Sequence, residues 1–388
     1  MERDELERRL IDFVNRMRPD ADPPLAIDAE TALFEEGVIN SLRILNLIAF
    51  VEEITGTRVP DAAVLLANFR SVRAIAAAFG SHRNGAQGGA TVPPDSDTTI
   101  HVFARRSGRV GFARPVEELA ARGELDLEPP GRVVLRGSPR RLAGWFDSVV
   151  RGWAREMGAS EERYPGFLPL ETLSRAGCLL GAASLDGVMP PAACYHVYHS
   201  LEGARLEAPP VFVTTRGRCF RDEAEFKPSL GRLRVFEMRE IVALGSREGV
   251  EEFRQSMIER VRDLVTELDL AGRIEIASDP FFLQGPGNES RGRRLMQQVL
   301  PLKYELQLTL DASGRSCAVA SFNHHLDFFG GRFRIRLDSG ATAHTGCVAF
   351  GLERWVLAFL GQHGTDTRDW PSRARDSCYR EVKHESHA

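Results

Sequence analysis

Residues 210–245 read PVFVTTRGRCFRDEAEFKPSLGRLRVFEMREIVALG. The two ends, 210–215 and 234–244, are rich in β-branched and aromatic residues and carry strand-style alternation. Between them Gly, Pro, Ser and charged side chains interrupt the pattern, so the segment is expected to fold as strand, loop, strand. Further strand-like runs are YELQLTL (304–310), CAVASF (317–322) and FRIRL (333–337). Helical patterns are mixed among them without regular crossover helices. That mixture favours an α+β fold with a mostly antiparallel sheet over a parallel one.

Upstream the period changes. Leu6, Leu10, Phe13, Val14 and Met17 recur at helical spacing, and Pro19, Pro23 and Pro24 stop that helix. A second helix is expected from Ser41, with Leu42, Leu45, Ile48 and Val51 on one stripe and Gly56 closing it; Ser41 stands at or beside its N-cap. Residues 60–69 suggest a short turn or helix. Ser71 then caps a last helix through Val72, Ile75, Ala76 and Phe79. These readings give a four-helix bundle over 1–80. Residues 81–98 (SHRNGAQGGATVPPDSDT) have the composition of a flexible tether. A second domain is expected over 99–365, followed by a charged, frayed tail over 366–388.

A chain of 388 residues accommodates two folded units. Its 43% hydrophobic and 27% charged residues are ordinary for a globular protein, and a net charge of -4 argues against nucleic acid as partner. No apolar run approaches the ~20 residues of a membrane helix, and MERDELERRL is too charged for a signal peptide, so a cytoplasmic protein away from membranes is expected. The six cysteines, Cys178, Cys194, Cys219, Cys317, Cys347 and Cys378, show neither disulfide-scaffold nor CxxC spacing. They are buried thiols, metal ligands or nucleophiles.

The string LFEEGVINSLRILNLIAFVEEITGTRVP (33–60), followed by NFRSVRAIAAAF (68–79), resembles acyl and peptidyl carrier proteins across the first domain. The resemblance implies Ser41 as the attachment point of 4'-phosphopantetheine and a phosphopantetheinyl transferase as partner. A serine at a helix N-terminus suits a phosphodiester, because free backbone N–H groups and the positive helix end favour the new charge. The family usually has Asp before its serine; here that residue is Asn40.

TTRGRCFRDEAEF (214–226) with GRLRVFEMREIV (231–242) resembles motif 2 of class II aminoacyl-tRNA synthetases, the seryl type in particular. HTGCVAFGLERWVLAF (344–359) resembles motif 3, a strand leading into a helix, and PGFLPLETL (165–173) lies near a motif 1, through which such domains form homodimers. By this resemblance, which spans about 100–361, Arg221 and Glu223 hold the α-phosphate and the adenine amino group of ATP. Phe236 stacks on adenine, Arg354 covers the γ-phosphate, and Arg232 is a further phosphate candidate. These assignments make chemical sense, since guanidinium groups must offset charge when a carboxylate attacks the α-phosphorus. Where the seryl type carries a magnesium-binding Glu, this chain has Cys317; Glu305 is the alternative carboxylate.

Cys194 in PPAACYHVY (190–198), Glu240 and Cys347 match the two thiolates and one carboxylate that bind zinc in an atypical branch of seryl-type synthetases and in related amino acid:[carrier protein] ligases. Three protein ligands leave a tetrahedral zinc one open position, which a substrate's α-amine fills. His324 and His325 are neighbours whose side chains would face opposite ways on a strand, so at most one enters the pocket, and core or surface roles are expected for both. A compact carrier stands where a seryl-tRNA synthetase has its tRNA-gripping arm. The resemblance therefore implies an amino acid:[carrier protein] ligase that moves glycine or alanine from an adenylate to a phosphopantetheine thiol, without tRNA. A tRNA-dependent paralogue and a noncatalytic amino-acid-binding regulator are the alternatives. Arg291, Arg293 and Arg294 lie in a stretch that either contacts the carrier or forms a solvated helix end.

Overall fold

The structure, a computed structural model, describes residues 3–17, 27–34, 36, 38–39, 43–80, 99–106, 113–128, 132–176, 187–221, 231–277, 295 and 299–376. The chain divides into two compact units, Met1–Asp97 with Ser278–Leu302, and Thr98–Ala277 with Lys303–Ala388. The continuous second domain expected over 99–365 is thus interrupted. Leu295, Val299, Leu300 and Leu302 of the intervening stretch are buried, and the stretch groups with the first unit.

The first unit holds α1 (Arg3–Arg16), α2 (Arg43–Thr55), a 3-10 turn (Asp61–Ala63), α3 (Leu66–Phe69) and α4 (Val72–Phe79). Leu6, Leu10 and Val14 of α1 are buried, as are Ile44, Leu47, Ile48 and Val51 of α2 and Val72, Ile75 and Ala76 of α4. The stripes meet where Phe13 stacks on Phe50 with ring centroids 3.9 Å apart. As its position suggests, Ser71 caps α4 by accepting from the N–H of Ala74 at 3.2 Å. Gly56 ends α2 at φ +66°, a left-handed conformation that glycine adopts at little cost. α3 is a single turn, so the 60–69 stretch contributes less helix than the segments around it. α2 begins at Arg43; Asn40 and Ser41 lie outside the described residues.

The second unit runs β1 (Thr99–Phe103), α5 (Pro115–Ala121), β2 (Leu125–Glu128), β3 (Arg132–Leu135), α6 (Gly137–Glu156), β4 (Ser160–Glu161), β5 (Leu168–Pro169), α7 (Leu170–Arg175), β6 (Gly187–Val188), α8 (Cys194–Ser200) and β7 (Arg205–Leu206). It continues with β8 (Val211–Phe220), β9 (Val235–Gly245), α9 (Arg247–Glu267), β10 (Gly272–Ile276), β11 (Lys303–Thr309), β12 (Ser316–His324), α10 (Phe328–Arg332), β13 (Arg336–Leu337), β14 (His344–Gly351) and α11 (Leu352–His363). Eight strands make one sheet in the order β1-β10-β11-β12-β14-β9-β8-β4. Each neighbouring pair is antiparallel except β4 and β8.

One face of this sheet is covered by helices. Ile241 and Ala243 of β9, Phe322 of β12, and Val348 and Phe350 of β14 share a core with α6, α9 and α11. α11 is buried nearly all round, the mark of a helix inside a core. Its polar Gln362 is satisfied by the backbone of Ala271 and Thr309, and Leu310 O lies 2.9 Å from where a Cβ on Gly361 would stand. The alternation that buries Ile241 and Val348 here turns Glu240 and Cys347 to the opposite face.

Two expectations are corrected. The tail from 366 is ordered into the body as far as Asp376: Trp370 and Ala374 are buried in the main core, and Trp370 donates to Gly364 O at 3.0 Å. Burying one large apolar side chain contributes about 1.5–3 kcal/mol, which charged neighbours in sequence do not cancel. FRIRL forms only the two-residue β13, paired with β7 outside the main sheet. Arg334 takes φ +53°, breaking the extended run although Phe333 and Ile335 are both fully buried.

Candidate active site and metal centre

The face of the sheet opposite the α6, α9 and α11 core carries a row of side chains set by register. Thr215 pairs with Glu240, Glu240 with Ala349, Ala349 with Ser321, and Ser321 with Glu305. Directly opposed residues in antiparallel strands share a face. Two acids therefore stand at either end of a floor made by the small Ala349 and Ser321. The adjacent row on this face is Val242, Cys347, Asn323 and Lys303.

Cys347 and Glu240 stand diagonally across β14 and β9, and α8 delivers Cys194 to the same point. The close approach is possible because β8 has Gly217 there, where a Cβ would lie 3.2 Å from that of Ala193. One ligand atom from each of Cys194, Glu240 and Cys347 lies within 4.8 Å of the others, and all three residues are buried. Glu240 is oriented by the N–H groups of Ala193, at 2.6 Å, and Cys194, at 3.3 Å, both to Oε1. Its Oε2 is buried without a hydrogen-bond partner. The Cys347 Sγ accepts from Asn323 Nδ2 at 3.3 Å and lies 3.8 Å from His325 Nε2, whose Nδ1 is 3.3 Å from the Tyr198 hydroxyl.

Protons are held tightly here. Contact with Cys347, then burial, pushes the Cys194 thiol well above its usual value. Burial likewise raises the Glu240 carboxyl against the Ala193 N–H that lowers it. For Cys347 the contact from Cys194 lowers the thiol, while burial and Glu240 raise it further.

The nucleotide-binding candidates lie at the other end of β9. The Arg221 guanidinium sits over the Phe236 ring, 5.2 Å from its centroid, and its Nε donates to Pro191 O at 3.1 Å. Arg354, in the first turn of α11, donates to Ala318 O at 2.9 Å. Burial pushes the thiol of the neighbouring Cys317 up to about 11 even though Arg354 lowers it. Arg232 is exposed in the turn leading into β9. Glu305 is engaged by Lys303 Nζ at 2.7 Å and by Gln307 Nε2 at 3.1 Å. Glu223, Arg291, Arg293 and Arg294 lie outside the described residues.

Comparison with known proteins bears on this arrangement. The chain is 37% identical over 193 residues to amino acid–[acyl-carrier-protein] ligase 1 of Bradyrhizobium diazoefficiens, and 39% identical over 195 residues to ligase 2 of that organism. Each match covers 49% of this chain, with 57% and 56% of the two ligases. It is also 33% identical over 207 residues to a type-2 serine–tRNA ligase of Methanothermobacter thermautotrophicus, across 53% of this chain and 39% of that protein. The chain spans little more than half the length of the two carrier-protein ligases and about two-fifths of the serine–tRNA ligase. No protein-family model matches it. Among solved structures, seryl-tRNA synthetase of M. kandleri, in complex with A. aeolicus tRNASec, superposes with a TM-score of 0.62 at 21% identity, over 74% of this chain and 64% of that one. That of Pyrococcus horikoshii, complexed with ATP, gives 0.59 at 14% identity, over 97% and 87%. The fold resembles that of seryl-tRNA synthetases.

The three ligand candidates fit a divalent metal on this structure's own geometry. A buried, unpaired carboxylate oxygen aimed among two thiols is costly unless a cation or proton meets it. The soft thiol pair with one carboxylate is a donor set that zinc accepts. Sequence reasoning found this trio but left out three neighbours. His325, assigned to core or surface, stands beside Cys347; Asn323 donates to that sulfur; and Glu353, next to Arg354, is buried with its carboxyl pushed by burial up to about 7. Only the NHH adjacency and the GLER string signalled them, and neither states a contact.

Proposed function

We propose that this chain activates a small amino acid, glycine or alanine, with ATP and transfers it to the phosphopantetheine thiol of a carrier protein, its own first unit being the acceptor. The observation that carries this reading is the buried grouping of Cys194, Glu240 and Cys347 at one end of a sheet face whose other end presents Arg221 and Phe236. The resemblance to amino acid–[acyl-carrier-protein] ligases supports the acceptor. The first unit supports transfer within one polypeptide, as a tether raises the effective concentration of the arm.

Cys194, Glu240 and Cys347 would hold zinc, which would supply a Lewis acid for the amine of the amino acid. Ala349 and Ser321 form a floor that leaves room for a small side chain. The amino acid's carboxylate oxygen attacks the α-phosphorus of ATP, and the bond to pyrophosphate breaks. Arg221 and Arg354 offset charge on the reacting and leaving oxygens, while Phe236 and Glu223 hold the adenine. Magnesium would enter with ATP; Glu305 is already engaged by Lys303 and Gln307. The thiol of the arm on Ser41 then attacks the adenylate carbonyl, gives up its proton, and AMP leaves. Positioning suffices for a thiol meeting so good a leaving group.

Intact-mass measurement of phosphopantetheinylated protein incubated with ATP, magnesium and an amino-acid mixture tests the reading. A mass gain equal to one aminoacyl group names the substrate, and Ser41→Ala abolishes it. Amino-acid-dependent exchange of pyrophosphate into ATP persists in Ser41→Ala. Charging of tRNA in place of the arm would instead establish the seryl-tRNA synthetase activity, and absence of exchange with every amino acid would rule out catalysis. A homodimer is proposed alongside, read from the mass in solution.

A further inference from the structure

The end of β12 brings a histidine to Cys347 as well as an amide. Asn323 and His325 are two residues apart, so both turn to the face of Glu240, and the backbone N–H of His325 extends the ladder by donating to Thr345 O at 2.8 Å. His324, between them, turns the other way, with its Nδ1 3.4 Å from Glu251 of α9. The His325 Nε2 stands 3.8 Å from the Cys347 sulfur, within reach of an N–H donor to so large an atom. Its Nδ1 meets two hydroxyls, those of Tyr198 and Thr345, each at 3.3 Å. The ring lies edge-on to Phe329, with centroids 5.0 Å apart, and Phe329 stacks in turn on Tyr198 at 4.2 Å. His325, Tyr198 and Thr345 are all buried. Packing on every side thus fixes which ring nitrogen faces the sulfur.

We infer that His325 is a positioning residue for the candidate metal centre, its Nε2–H held towards the Cys347 thiolate by Tyr198 and Thr345, a role that rests on the zinc reading proposed above. A sulfur that binds a metal is a thiolate and has no proton to donate. The nitrogen facing it must therefore carry the hydrogen, which in a neutral imidazole leaves Nδ1 as the acceptor. A hydroxyl of Tyr198 or Thr345 supplies the donor that Nδ1 needs. Two donors, Asn323 Nδ2 and His325 Nε2, then converge on one sulfur and hold both its charge and its direction.

The full chain is compared as wild type, as His325→Leu, which has similar bulk and no donor, and as His325→Gln, whose amide can place an N–H near the position of Nε2. Zinc affinity is read by chelator competition, and cobalt(II) in place of zinc reports the thiolates through their charge-transfer absorption. His325→Leu is expected to bind zinc roughly 10–100-fold more weakly. Its thiolate–cobalt band should move to longer wavelength, because a thiolate without that donor gives up electron density more readily. His325→Gln should bring both readings back towards wild type. Unchanged band and affinity in His325→Leu, or equal losses in the two variants, overturn the inference while zinc uptake by the wild type leaves the metal reading standing. A wild type that takes up neither metal overturns both. Should the leucine variant fail to fold, the tautomer of His325 in zinc-loaded wild type, read from long-range proton–nitrogen correlation spectra, decides: hydrogen on Nε2 is expected, and hydrogen on Nδ1 overturns the inference.

Discussion

Glu353 reaches back from the first turn of α11 and accepts the backbone N–H of Glu237 on both carboxylate oxygens, each at 3.1 Å. The contact completes a ladder. β14 ends at Gly351, opposite Met238, so β9 has no strand partner on that side for Glu237, and the side chain supplies the missing acceptor. Burial pushes the Glu353 carboxyl up to about 7 from its ordinary 4.5. A raised folded value means that the native state holds the proton longer than the unfolded chain. Its stabilising effect is complete below about pH 4.5 and is lost as pH rises towards 7. Relative to Glu353→Gln, which does not titrate, the wild type should lose on the order of 3 kcal/mol across that window. Urea midpoints of both proteins at several pH values check this; a constant difference between them would refute it.

Asp147 of α6 meets Arg239 of β9 through two hydrogen bonds, Oδ1 to Nε at 2.7 Å and Oδ2 to Nη2 at 3.2 Å, with Arg239 only 4% exposed. Asp147→Ala leaves a buried guanidinium with Glu161 as its remaining acidic partner, at 3.4 Å. Breaking a buried pair in this way costs about 3–5 kcal/mol. Chemical denaturation should show that loss, and the double variant Asp147→Leu/Arg239→Met should recover much of it. A double variant as unstable as Asp147→Ala would argue that the pair itself stabilises the fold.

Trp370 tests the corrected boundary of the second unit. Its ring meets Phe359 edge-on, with centroids 5.3 Å apart, inside the core shared by α6 and α11. Trp370→Ala should cost about 3–5 kcal/mol, as for other buried aromatic deletions. Residues of a frayed tail would instead leave the thermal midpoint unchanged.

How far the fold was legible follows from where each contact lies in the chain. β8, β9, β11 and β12 alternate along their own length, so their existence needs no partner to be read, and the Ser71 cap is equally local. FRIRL alternates too, yet the backbone turn at Arg334 defeats it, and that turn is no property of the alternation. The burial of Trp370 depends on Phe359, and the pairing of Asp147 with Arg239 on residues 92 positions apart. Cys194, Glu240 and Cys347 have no shared spacing. Resemblance named them, and the register of β9 against β14 explains why two of them meet.

That register also sets the support for the proposed metal. Cys347 and Asn323 are directly paired on β14 and β12, which places the amide Nδ2 at 3.3 Å from the sulfur. A donor to a thiolate steadies its charge and orientation, and outer partners of this kind typically contribute 10–100-fold in metal affinity. Cys194→Ser removes a ligand outright, whereas Asn323→Ala keeps all three. Zinc measured by mass spectrometry should stand near one per chain in the wild type and fall to background in Cys194→Ser. Asn323→Ala should still take up zinc, but lose it to a chromogenic chelator at roughly 10–100-fold lower chelator concentration. If wild type and Asn323→Ala release zinc alike, the amide plays no part in holding the sulfur. Should the wild type carry no zinc after purification and fail to take it up when offered, the metal-centred mechanism falls with it.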